Sequence, residues 1–158
     1  IHPTMSYAKG QKNNHWISEA VGLIIGGLWL EDERISKNYY QYGVRELREA
    51  LDVLFNNDGS FAQSSFNYLR HALTLVAIAR LEISQNGLDC SIFETIKLSN
   101  ALHFFNQFCE PLSTTTHNWG ANDGSNPLAI SQNEFLDPMS HKLFYDFSFK
   151  GISLDTVN

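Results

Sequence analysis

The sequence predicts an all-α fold, and three observations predict it. Apolar residues recur at helical spacing over most of the stretch from Asn14 to Cys109. Turn-forming clusters, Asn56-Asn57-Asp58-Gly59-Ser60 and Asn86-Gly87, divide that stretch. The helical pieces also alternate between apolar all round and apolar on one side, the pattern of inner and outer layers. The expected architecture is antiparallel helical hairpins forming part of an incomplete (α/α) toroid with long loops, in a single domain over residues 1–158.

Taken in order, residues 1–12 are polar and without periodicity, and are expected as an irregular lead-in. A first helix is expected from about Asn14 to Leu30, nearly all apolar, with Asn13 or Asn14 placed to cap it. Its polar edge is His15 and Glu19, with Gly22 and Gly26 one and two turns on, where a neighbouring helix has room to approach. Glu31-Asp32-Glu33-Arg34 breaks it. An amphipathic second helix then runs to about Phe55, with Ile35, Tyr39, Tyr40, Val44, Leu47, Leu51 and Leu54 inward and Arg45, Glu46, Arg48, Glu49 and Asp52 wet. A third is expected over about Ser64 to Gln85, and Asn86-Gly87 ends it. Ser91-Ile92-Phe93-Glu94 reads as a capping box opening a fourth helix to about Cys109, before Pro111. Residues 110–127 form a Thr-, Asn- and Gly-rich loop long enough to carry function. Beyond it, Ser131-Gln132-Asn133-Glu134 is placed to cap a last helix, while Phe144, Phe147 and Phe149 suit an extended end equally well.

The composition narrows the classes of function. An apolar fraction of 43% with 18% charged residues is that of a packed globular chain. A net charge of −6 argues against a nucleic-acid surface. Two cysteines, Cys90 and Cys109, make no disulfide framework and leave the redox compartment open. The longest apolar run, Trp16 to Leu30, is short for a membrane span and carries Glu19, so none is expected. No signal peptide is visible.

Three groups of residues carry candidate chemistry. The first is Asn13-Asn14-His15 with Glu19, two amides, an imidazole and a carboxylate opening an apolar helix. The second runs from Asp58-Gly59-Ser60-Phe61 through Gln63 to Asn67-Tyr68-Leu69-Arg70-His71. If helical from Ser64, it puts Ser64, Tyr68 and His71 on one face. The third, Asn118-Trp119-Gly120-Ala121-Asn122-Asp123-Gly124, contains a turn signal and an aromatic platform. Each also has a plain structural use as a cap, a packed first turn or a loop. His15 and Glu19 offer two ligands with no third, so no metal and no cofactor is expected.

In this order the three segments resemble the heparinase II/III-like polysaccharide lyases. Asn13-Asn14-His15 is similar to that family's Asn-Asn-His helix start. Asp58-Gly59-Ser60-Phe61, Gln63, Ser65, Asn67-Tyr68 and Arg70 resemble its Asp-Gly-Ser-Phe…Gln…Ser…Asn-Tyr-His-Arg stretch, with Leu69 in place of the His. Asn118 to Gly124 resembles its Asn-(aromatic)-Gly-Ala-Asn-Asp-Gly loop. Asp137-Pro138-Met139-Ser140 lacks the Arg of a further family segment. The resemblance implies β-elimination on an acidic, uronic-acid-containing polysaccharide such as a glycosaminoglycan or alginate, in a periplasmic or secreted setting. It also implies further toroid helices before this stretch and a β-sandwich after it, or a partner chain over the open ends. By the same resemblance Asn14 and His15 face the uronate carboxylate, with His15 alternatively the base. Tyr68 donates a proton to the leaving oxygen or serves as base and acid in turn, aided by Arg70. Glu19, Gln63, Arg70, Asn118, Trp119 and Asn122 contact the sugar. His71 shares the face of Tyr68 but matches no family position. A non-catalytic carbohydrate-binding or scaffold toroid is the alternative. The groove expected from this assignment sets the His15 imidazole opposite the Tyr68 phenol.

Overall fold

A computed structural model describes residues 2–108, 119–121 and 144–150. Among them the chain is all-α. After a 3-10 turn at His2–Thr4 come α1 (Met5–Gln11), α2 (Asn14–Trp29), α3 (Glu33–Leu54) and α4 (Phe66–Gln85), then α5 (Ile96–Gln107) after a second 3-10 turn at Ser91–Phe93. Residues 144–148 add a helical turn.

Helix α2 starts where a side chain satisfies its first free amides. The Asn13 Oδ1 accepts from the His15 N–H at 3.0 Å. Asp32 does the same for α3, accepting from the Arg34 and Ile35 amides. With only residues 30–32 between them, the two helices fold back antiparallel, and glycine lets them close up. A Cβ on Gly27 would lie 2.5 Å from the Tyr40 nitrogen, and one on Gly43 would lie 2.8 Å from both the Ala20 oxygen and the Ile24 nitrogen. At Gly26 the expected approach is corrected: a Cβ there would meet nothing within 4 Å. The glycine facing the partner helix is its neighbour, because the buried stripe of α2 runs through Trp16, Ile17, Ala20, Ile24 and Gly27.

The core continues into α4, whose Leu69, Leu73, Val76 and Ile83 are each at most 1% exposed. Burying each such side chain stabilises by about 1.5–3 kcal/mol. Helix α2 therefore packs between α3 and α4, which brings the starts of the first two sequence segments onto one body.

Three expectations need correcting. Residues 1–12 are helical over most of their length, since Met5 and Ala8, one turn apart, press into the core at 1% exposure each. A seven-residue helix is too short to show periodicity. Its Lys9 bonds the Glu49 carboxylate, reaches Glu46 at 3.5 Å and lies 5.0 Å over the Trp16 ring. Second, Ser91 opens a 3-10 turn, and α5 starts at Ile96, where Thr95 Oγ1 accepts from the Leu98 N–H at 3.2 Å. Third, Glu46, expected on the wet face of α3, is 4% exposed because its carboxylate accepts from the buried Trp16 indole N–H at 3.2 Å, and Ile35, expected inward, is 44% exposed in the first turn of α3. The end, open in sequence between helix and extended chain, is helical over residues 144–148, where Tyr145 and Phe149, four apart, bury together while Phe147 points outward at 69% exposure. The expected helix at 131–134, the Asp137–Ser140 stretch, Cys109 and all of 110–127 except 119–121 lie outside the described residues.

Candidate functional site

The second segment divides into a turn and a helix start. Asn56 to Phe61 is a tight turn. The Asp58 carboxylate accepts from the Ser60 N–H at 2.9 Å and from the Ser60 hydroxyl at 2.7 Å, and these two bonds hold its pKa below the usual carboxylate value. Gly59 has φ +84, and a Cβ there would lie 2.2 Å from the Asn100 oxygen of α5. Phe61 turns inward against Phe55, with ring centroids 5.3 Å apart. These four residues are used up in building the loop.

Ser64 lies outside the helix, contrary to the expected face of Ser64, Tyr68 and His71. It adopts a left-handed backbone at φ +51, and Ser65 caps α4 with its Oγ accepting from the Tyr68 N–H at 3.3 Å. The first amides of α4 meet an unusual partner, the third segment. The Trp119 carbonyl accepts from the Phe66 N–H at 3.0 Å and the Asn67 N–H at 3.4 Å. The Ser65 hydroxyl donates to the Ala121 carbonyl at 2.7 Å, and Asn67 Nδ2 donates to the Gly120 carbonyl at 3.1 Å. Gly120 has φ +88, and a Cβ on it would collide with Ser65.

The first segment joins the same body. The Gln63 side-chain oxygen accepts from the Asn14 N–H of α2 at 2.9 Å. His71, on α4, is half-buried; burial, with the His15 charge as a second cause, pushes its pKa below the usual imidazole value. The starts of α2 and α4 are therefore neighbours.

The individual residues fare differently. His15 is exposed, Asn14 partly so, and neither side chain makes a hydrogen bond among the described residues. Glu19 accepts from Thr4 Oγ1 at 2.9 Å, so its partner comes from the lead-in. Tyr68 was expected on an open groove opposite His15; instead it is 5% exposed and belongs to the core cluster. Arg70, at 4% exposed, is likewise interior: its guanidinium lies 3.4 Å from Asn67 Oδ1, and its carbonyl accepts from the Tyr145 hydroxyl at 2.8 Å. Trp119 is 50% exposed. Asn118 and Asn122 lie outside the described residues.

No family model, curated protein or solved structure matches the chain. Among the described residues no group of three or more His, Cys, Asp or Glu side chains is arranged to hold a metal ion. Nor, among the described residues, is any helix long and apolar enough to cross a membrane.

Sequence reading passed over two features. His71 was legible as sharing the face of Tyr68, but its nearness to His15 depends on how α2 and α4 pack. The second is an aromatic pocket beside Trp119, to which α5 contributes Phe104 and Phe108. Nothing in the α5 sequence distinguishes those rings from ordinary core.

Proposed function

We propose that this chain is part of a polysaccharide lyase that cleaves uronic-acid-containing polysaccharide by β-elimination, within an (α/α) toroid of the heparinase II/III-like kind. The observation that carries the reading is the physical joining of three segments far apart in sequence. Gln63 holds the Asn14 amide, and Ser65 and Asn67 hold the 119–121 backbone. Three unrelated turns resembling one family's motifs by coincidence have no reason to bond to one another.

The chemistry asks for neutralisation of a carboxylate, removal of the C5 proton, and protonation of the oxygen leaving C4. A C–H beside a carboxylate is a weak acid unless the enolate is stabilised as it forms. Asn14 and His15 carry uncommitted polar groups at the start of α2, where the helix dipole also favours negative charge. His15 takes the C5 proton, with a side chain suited to neutral pH, or donates to the carboxylate while Tyr68 takes that proton as base. Tyr68 returns a proton to the leaving oxygen. Cofactor and metal play no part in this scheme. The setting proposed is periplasmic or secreted, with flanking toroid helices and a β-sandwich, or a partner chain, completing the cleft.

The burial of Tyr68 favours a second reading, a non-catalytic carbohydrate-binding or scaffold toroid, because a phenol at 5% exposure is poorly placed to reach a sugar. One assay separates the two. The intact protein is incubated with glycosaminoglycan, alginate and capsular polysaccharides while the ultraviolet absorbance of newly unsaturated uronides is followed. The lyase reading expects absorbance that Tyr68→Phe abolishes with binding retained. Binding without absorbance supports the second reading, and loss of binding in Tyr68→Phe contradicts the role given to the phenol.

A further inference from the structure

The pocket beside the joined segments has a lining that selects its occupant. Its volume is about 290 Å³, at the lower end of the range for small-ligand sites, roughly 300–1,000 Å³. Phe61, Phe66, Phe104, Phe108 and Trp119 form its walls, and none of the described lining residues is charged. The rings brace one another. Phe66 stacks on Phe105 at 5.4 Å and meets Phe108 edge-on at 5.6 Å, while Trp119 meets Phe108 edge-on at 5.4 Å. Trp119 still keeps half its surface open, so the wall is held in place without being covered.

Three serines reach the pocket, and two are committed. Ser60 donates to Asp58, and Ser65 donates to the Ala121 carbonyl. The Ser64 hydroxyl makes no hydrogen bond among the described residues. Ser64 also has φ +51, a conformation that glycine or asparagine takes at less cost. Strain held at a pocket rim by a residue whose polar group is unspent points from the outlier to a use.

We infer that this pocket binds a neutral pyranose ring of the polysaccharide, its C–H face against Trp119 and Phe108 and one ring hydroxyl on Ser64 Oγ. A uronate ring is the wrong occupant, since its carboxylate would be desolvated among aromatic rings with no cation among the described lining residues to pair with it. The inference rests on the lyase reading and narrows its substrate to chains in which uronic acid neighbours a neutral sugar, as opposed to a pure polyuronate.

The test is calorimetric titration of the intact protein, Ser64→Gly and Trp119→Ala with two oligosaccharides of equal length. One is from hyaluronan, which alternates uronate with N-acetylhexosamine; the other is an oligomannuronate. The hyaluronan fragment should bind about tenfold more tightly, and Trp119→Ala should remove about that factor. Ser64→Gly guards against mere misfolding. It relieves the backbone and should raise the melting temperature by a few degrees, roughly, while weakening the hyaluronan fragment about three- to tenfold. Equal binding of both probes, untouched by either substitution, overturns the pocket and leaves the lyase reading standing. A more stable Ser64→Gly with undiminished affinity also overturns it. If neither probe binds and no polysaccharide yields unsaturated product, the lyase reading falls and takes the inference with it.

Discussion

Replacing Gly120 with alanine is a direct test of whether the third segment is fastened to the second. Gly120 has φ +88, and a Cβ there would lie 2.7 Å from Ser65 Oγ and 2.8 Å from Ser65 Cα and Cβ. The variant has two ways to respond. It can keep the segment docked, accepting about 1–2 kcal/mol for a left-handed alanine and the cost of pushing the Ser65 backbone aside. Otherwise it can undock, losing the bonds from the Phe66 and Asn67 amides, the Ser65 hydroxyl and Asn67 Nδ2, each worth about 0.5–1.5 kcal/mol net. The cheaper route sets the outcome, so the docked state should weaken by about 2–4 kcal/mol. The readout is amide hydrogen exchange at Phe66 and Asn67, whose N–H groups bond the Trp119 carbonyl. Their protection should fall by about 30- to 1,000-fold, the equivalent of that free energy, while amides in the middle of α2 and α3 hold theirs. Ser65→Ala, which removes the cap and the Ala121 bond without a clash, should show a smaller loss of about 1 kcal/mol. Unchanged protection at Phe66 and Asn67 in Gly120→Ala would refute the fastening, as would a loss spread evenly over all the helices.

Other substitutions probe the scaffold. Gly43→Ala sets a methyl against the backbone of Ala20 and Ile24 and should destabilise by about 1–3 kcal/mol, read as a lower urea midpoint; an unchanged midpoint would contradict the close helix crossing. Glu46→Ala strands the buried indole N–H of Trp16, which now donates to it at 3.2 Å, at a cost of about 1–3 kcal/mol. Because Arg45 is largely exposed and Lys9 partly so, added salt should recover little of that loss, and full recovery in salt would locate the effect in the ion pairs. Stability should also depend on pH through His71. Its folded pKa lies below the ordinary imidazole value of 6.5, so the unfolded chain binds the proton first and stability falls as pH drops through 6.5 toward the lower folded value. His71→Gln should flatten the melting-temperature profile in that window, and an unaltered profile would assign the slope to another group.

The helices were legible because their signals are local. Asn13 is one of the two residues the sequence places to cap α2, and Leu47, Leu51 and Leu54 advertise the buried side of α3. Local signals failed where a neighbour decides the matter. Gly26 and Gly27 are indistinguishable in sequence, and only the path of α3 shows which one it crosses. Met5 and Ala8 read as polar lead-in until the core they enter is known. Ser64 looked like the first turn of a helix that starts two residues later. At the candidate site the residue types were legible and their availability was not. Tyr68 carries the right phenol for proton transfer, yet its burial depends on everything packed over the start of α4.

That difference between type and availability sorts the segments' residues into two kinds. Asn13 spends its side chain as a cap, Asp58 and Ser60 on each other, Gln63 on the Asn14 amide, and Ser65 and Asn67 on the 119–121 backbone. These are the residues most responsible for the resemblance, and their work is to fasten two helix starts and a loop together. The side chains left without a hydrogen bond among the described residues are those of Asn14, His15, Ser64 and His71. All four lie at or near the starts of α2 and α4, where the first amides are already bonded and the helix dipole still favours negative charge. Fastened residues around an uncommitted polar group are what pre-organisation requires, since a site must hold its donors before the substrate arrives. The imidazoles of His15 and His71 therefore merit substitution together. If one of them alone carries the proton transfer, its single variant should lose as much turnover as the double variant and the other single variant little, because a function already removed is not removed twice. If the losses instead multiply, each imidazole acts independently, one on the carboxylate and the other on the proton.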